Sequence, residues 1–187
     1  MESSWHLPDE IIKEILTPAL QVPDEIFSDT GSVSPFATYD ESTSALLVVC
    51  KSWLRVSTPL LYNVVVLRSK AQAQALARSL CGNKLLGTFI KKLRLEGSFG
   101  PSIEKIVNLA PNITDLCLTL NIWSSDSVSG IRRAFPKMNP RRLVICDSNQ
   151  RHSDNNPGRE LCDALLLWIR TWNQESLIGG LAHRAES

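Results

Sequence analysis

Apolar positions recur at helical spacing near the start of this chain. Leu7, Ile11 and Ile15 lie four apart with Ile12 and Leu16 beside them, making one wide apolar stripe. Leu7-Pro8-Asp9-Glu10 marks the helix start: proline at the first helical position gives up no hydrogen bond, and two carboxylates favour the positive end of the helix dipole. Pro18 is expected to end or kink the helix near Thr17. From Gln21 to Thr43 the chain is punctuated by Pro23, Gly31 and Pro35. Ser, Thr, Asp and Glu fill most of the rest, which predicts a mobile surface loop with a helical turn around Pro23–Phe27. A second helix is predicted from Ser44 to Val56, with Leu46, Leu47, Cys50, Trp53 and Leu54 on one apolar template and Pro59 closing it.

Beyond Pro59 short strands alternate with helices. The β-branched run Tyr62–Leu67 predicts a strand, and the alanine-rich Lys70–Cys81 a helix. Three similar phrases follow: Lys92–Leu95, Asp115–Leu118 and Arg142–Ile145. Each alternates apolar with other residues, as a strand with one buried face requires. The steps from Leu67 to Leu95, Leu118 and Ile145 are 28, 23 and 27 residues, the period of leucine-rich repeats, although the consensus turn asparagine is missing or displaced. Pro101–Ala110 and Asp126–Phe135 are predicted helices between the strands. Ser148–Gly158 is predicted to be a loop, and Arg159–Trp172 a last helix with Leu161, Leu165, Trp168 and Trp172 along one stripe. The strands are expected to align in a mostly parallel sheet with helices on the other side.

Composition narrows the class. A chain of 187 residues with 43% hydrophobic content buries a core without staples. Twenty basic and 19 acidic residues give no electrostatic case for nucleic acid or a membrane surface. No apolar run approaches the ~20 residues of a membrane span, and no signal peptide is visible. A cytoplasmic or nuclear protein is expected. Five cysteines without a CxxC pair read as buried, reduced thiols, Cys50 among them as a small hydrophobe rather than a nucleophile.

Candidate chemistry is sparse. Asp9 and Glu10 point about 100° apart on a helix and do not converge on one substrate. His6, His152 and His183 have no metal-ligand spacing. Lys91-Lys92, Arg132-Arg133 and Arg141-Arg142 could combine into a basic patch, but an ordinary solvated face is the expectation. No GxSxG, P-loop, HExxH or dinucleotide fingerprint is present, so neither an enzyme nor a cofactor is expected.

Two landmarks stand in order. Leu7-Pro8-Asp9-Glu10-Ile11-Ile12 with Ile15-Leu16 resembles the opening of the F-box, and Val48-Val49-Cys50-Lys51-Ser52-Trp53 resembles its second landmark. Pro59-Leu60-Leu61-Tyr62 is similar to the bridge into the repeats of many fungal members. The resemblance covers about a third of the chain, Ser4 to Leu67, and departs from the compact form of the family in the long insertion Gln21–Thr43. Such an insertion costs little in loop closure, about 0.6 kcal/mol per doubling of length.

The resemblance implies an α+β chain: an N-terminal helical F-box module, then a short irregular leucine-rich-repeat-like β/α array. The expected boundaries are 1–60 with an inserted loop at 21–43, then 61–173, then a flexible tail at 174–187. It implies a non-catalytic substrate adaptor of a Skp-cullin-F-box ubiquitin ligase. The partners would be a Skp-type linker protein, through it a cullin, and an unknown protein substrate. Carried over by position, Leu7, Pro8, Ile11, Val49, Cys50 and Trp53 face or support the linker, with Trp53 the expected hot spot. Periodicity alone would put Leu7, Ile11 and Ile15 in a core; only the joint pattern with Cys50 and Trp53 turns them toward a partner. Substrate contacts are expected on the rims after the strands, around Glu96–Gly100, Asn121–Ser125 and Asp147–Gln150. The alternative is a repeat-like interaction scaffold with no ubiquitin role, a shortened member of a longer family.

Overall fold

The computed structural model of the chain describes residues 7–37, 43–120, 122, 126–146 and 156–171. The three histidines, Trp172, the 174–187 tail, most of the 148–158 loop and the rims at 147–150 and, except Ile122, 121–125 lie outside the described residues.

Helix α1 (Asp9–Leu20) is capped by Pro8 at φ −56°, ψ 147°, one residue earlier than a first-turn proline would sit. It does not stop at Thr17 but runs through Pro18. The Thr17 hydroxyl donates to the Lys13 carbonyl at 2.7 Å, and Leu20 completes a buried row with Ile12 and Leu16. Burying one leucine is worth roughly 1.5–3 kcal/mol, comparable with the ~3 kcal/mol an interior proline costs. The predicted helix Ser44–Val56 is two elements. A 3-10 turn (Thr43–Val48) is followed by α3 (Lys51–Asn63), and Cys50 stands extended between them as the α3 N-cap. Pro59 does not close α3. Thr58 repeats the device of Thr17, donating to the Leu54 carbonyl at 2.6 Å, and Leu60 and Leu61 pack on the Ile12, Leu16 and Leu20 row. Tyr62 and Asn63 therefore finish a helix, and the first strand begins only at Val64.

The four strands β1 (Val64–Leu67), β2 (Lys92–Leu95), β3 (Asp115–Thr119) and β4 (Arg142–Cys146) form an all-parallel sheet in sequence order. The register places Leu67 opposite Leu95, Leu95 opposite Leu118 and Leu118 opposite Ile145. With α4 (Lys70–Gly82), α5 (Lys84–Phe89), α6 (Ser102–Leu109) and α7 (Ser129–Ala134, continued by a 3-10 turn to Lys137) the chain is α+β. Leu93, Leu95, Leu116, Leu118 and Leu143 face these helices in the main core. Helix α5 has no counterpart in the sequence reading. It starts on an Asn83 side chain that accepts from the Leu85 amide at 3.1 Å. Two glycines allow backbones to meet behind the sheet: a Cβ on Gly87 would stand 1.9 Å from the Leu109 carbonyl oxygen, and one on Gly130 1.8 Å from that of Gly100.

Helix α8 (Asn156–Thr171) closes the far end. Leu161, Leu165 and Trp168 are buried, and Trp168 stacks on Phe135 with ring centroids 4.8 Å apart. Among the described residues no helix is long and apolar enough to cross a membrane.

Residues 21–37 are not the surface loop that their composition predicts. Helix α2 (Asp24–Phe27) lies on the sheet face opposite the helices, and Phe27 is fully buried there. Opposite-charge partners and an aromatic anchor order a segment that turn residues alone would leave loose.

Candidate functional site

Two surfaces carry chemistry beyond packing. The first is the N-terminal helical module. Its buried face is Ile12, Leu16 and Leu20, against which Leu46, Trp53 and Val56 pack. Outside that face Leu7, Ile11, Ile15, Val48, Val49 and Leu54 are all exposed, six of the eleven exposed large hydrophobics among the described residues. That concentration distinguishes the module from the scattered apolar residues of an ordinary surface. An ion pair between Arg55 and Asp9 at 2.6 Å sets the first turn of α1 beside the second turn of α3. Leu7, Pro8 and Ile11 flank Asp9 on one side of that pair, and Val49, Cys50 and Trp53 precede Arg55 on the other.

Five of these six residues are exposed, and Trp53 is half-buried against the α1 row. Cys50 is a correction to the expected buried thiol: as the extended residue between two helices it is exposed, as is Cys81. Cys117 and Cys146 are buried as expected, and Cys162 is intermediate.

The second surface is the face of the sheet under α2. Strand alternation puts Lys92, Arg94, Asp115, Cys117, Arg142 and Cys146 on this side. Asp24 reaches down to it. Its carboxylate accepts from both terminal nitrogens of Arg142, at 2.5 and 2.6 Å, and from Lys92 Nζ at 2.5 Å. These bonds, Arg142 first and Lys92 next, hold the Asp24 carboxyl well below the usual carboxylate range. Arg142 also donates through Nε to Asp115 at 2.6 Å.

Phe27 sits next to this cluster, over the thiols of Cys117 and Cys146, whose sulfurs are 3.5 Å apart. Their mutual hydrogen bond raises the Cys117 thiol and lowers that of Cys146, with burial raising both. Arg94 is almost wholly buried and gives one guanidinium nitrogen to the carbonyls of Phe27 and Asp29, each at 2.8 Å. Burial works against its charge, but Glu96, accepting from Nε at 2.8 Å, favours it. Ser34 donates to Glu96 at 2.6 Å, and Arg68 donates to Glu96 and to the Phe36 carbonyl.

None of this second site was singled out from sequence. The signal was there in period two, which sets Lys92 and Arg94 on the side of β2 away from its leucines. The suggested basic patch does not form: Lys92 and Arg142 pair with Asp24, Arg133 with Glu104, and Arg132 with Glu160. The rim Glu96–Gly100 is likewise not open to a substrate. Gly97 to Gly100 are buried, with Phe99 and Gly100 at φ 46° and 60° and the Gly100 amide bonded to the Ser127 carbonyl.

Compared with protein-family models, with curated proteins and with solved structures, the chain matches none.

Proposed function

We propose that this chain is a non-catalytic adaptor of a Skp-cullin-F-box type ubiquitin ligase. In this reading the N-terminal helices are an F-box that docks on a Skp-type linker, and the β/α region, an irregular leucine-rich-repeat-like array, holds a protein substrate. The observation that carries it is the exposed apolar set Leu7, Ile11, Ile15, Val48, Val49 and Leu54 on a module whose own core is already filled. Apolar helix faces left in water gain free energy by packing into a partner's groove. Leu7, Pro8, Ile11, Val49 and Cys50 would touch the linker, and Trp53 would support them from below. The expected hot-spot role of Trp53 becomes one of positioning, because its ring packs against the α1 row.

The reading is tested by co-purification of the tagged full chain with a Skp-type linker, beside a Leu7→Asp/Ile11→Asp variant. Both positions are exposed, so the variant keeps its fold. Capture by the parent and loss in the variant is the expected result. Equal capture by both would remove the apolar set from the interface. A folded parent that captures no linker would leave a repeat-like scaffold with no ubiquitin role.

A further inference from the structure

The face under α2 is built like an occupied recognition site. An acidic side chain is held by two cations, an aromatic ring three residues later fills a pocket floored by two thiols, and two backbone carbonyls just beyond are read by one buried arginine. Those are the contacts by which a groove recognises a short protein segment: a charge, an anchor and main-chain bonds that fix direction. Their occupant here belongs to the same chain.

We infer that the outer face of the sheet is a docking site for a protein segment carrying an acidic residue followed three positions later by an aromatic one, and that Asp24–Phe27 occupies it as the chain's own stand-in. Under the adaptor reading this names the substrate class of the β/α region; the binding itself requires no linker.

Three features make the stand-in exchangeable rather than core. Phe27 belongs to a small cluster with Cys117 and Cys146, separate from the main core on the helix side of the sheet and from the Ile12, Leu16 and Leu20 row. Lifting the segment leaves both intact. Besides the burial of Phe27 and Phe36, what holds it is ion pairs and hydrogen bonds, all of them only part-buried except that of Arg94 to the Phe27 carbonyl. Water replaces such bonds more readily than it replaces leucine packing. The vacated face would then present four cations, Arg68, Lys92, Arg94 and Arg142, against two carboxylates, Glu96 and Asp115. Such a surface favours an acidic visitor. The tether gives the stand-in an effective concentration in the millimolar range, so a visitor has to compete with it.

The test uses the full chain and a fluorescently labelled peptide with the sequence of residues 21–37. An Asp24→Ala/Phe27→Ala variant, with its own segment disabled, should bind this peptide at least tenfold more tightly than the parent does, and a Phe27→Ala peptide should bind neither. A cooperatively folded variant that binds no peptide overturns the proposal. Should the variant fail to fold, the parent decides. Alkylation of Cys117 and Cys146 under native conditions, followed by peptide mass spectrometry, reports uncovering of the floor. Labelling at least 100-fold faster than hydrogen exchange of the β3 amides would show that the segment lifts on its own. Labelling only as fast as that exchange would make the segment part of the global core and end the proposal.

Discussion

Asp24 and Arg142 are 118 residues apart in the chain and joined by two hydrogen bonds of 2.5 and 2.6 Å. The pair ties the insertion between the two N-terminal helices to the last strand of the sheet. It is bidentate, the geometry in which arginine holds a carboxylate most strongly.

Acid should loosen this tie. The Asp24 carboxyl sits below its ordinary value of 3.8 because Arg142 and then Lys92 hydrogen-bond to it. A depressed pKa contributes stability that is complete above the unfolded value and lost as pH falls through the folded one. Urea melts of parent and Asp24→Asn should therefore differ most at pH 7 and converge as pH drops well below 3.8. Because Asp24 is nearly half exposed, solvent screening limits the difference at pH 7 to about 1 kcal/mol. Asp115 continues to pair with Arg142 in the variant, whereas Lys92 loses its carboxylate partner and contributes to the difference. A gap that stayed constant with pH would place the stabilisation elsewhere.

Gly130→Ala should be among the most damaging small substitutions in the chain. The new methyl would meet the Gly100 carbonyl oxygen at 1.8 Å, backbone against backbone, with no flexible side chain to yield. A loss of about 3 kcal/mol or more is expected in chemical denaturation. Gly82→Ala, with no atom within 4 Å of the added methyl, is the control and should change stability by less than about 1 kcal/mol.

The C-terminal end of the β/α region depends on Trp168. Replacing it by alanine removes both its burial and its stacking on Phe135, for an expected 3–5 kcal/mol in a thermal or urea melt. Leu167, its exposed neighbour, should tolerate alanine within about 0.5 kcal/mol. Equal effects at the two positions would contradict the capping role of α8.

The β/α region was the most legible part of the sequence. Strand period two, with turn residues between runs, fixed β2 to the residue and the Leu67, Leu95, Leu118, Ile145 register across all four strands. The N-terminal helices were legible in their apolar rows but not in their ends. Pro18 and Pro59 each follow a threonine that satisfies a carbonyl one turn back, and tertiary burial of Leu20, Leu60 and Leu61 outweighs the local break. Least legible was residues 21–37, whose order comes from partners 32 to 118 residues away. Composition and periodicity are local, and no local signal announces that Asp24 will find Arg142. The same limit hid the second surface, because its cations looked like an ordinary solvated face until their carboxylate was in place.

An adaptor role requires a partner for the N-terminal helices. The direct measurement is calorimetric titration of a purified Skp-type linker into the folded full chain at two temperatures. One-to-one binding at micromolar affinity or better is predicted. Its heat-capacity change should be negative, as burial of Leu7, Ile11 and Val49 requires, and Leu7→Asp/Ile11→Asp should weaken binding at least 100-fold. No heat of binding from a cooperatively folded parent, or equal affinity for the variant, would contradict it.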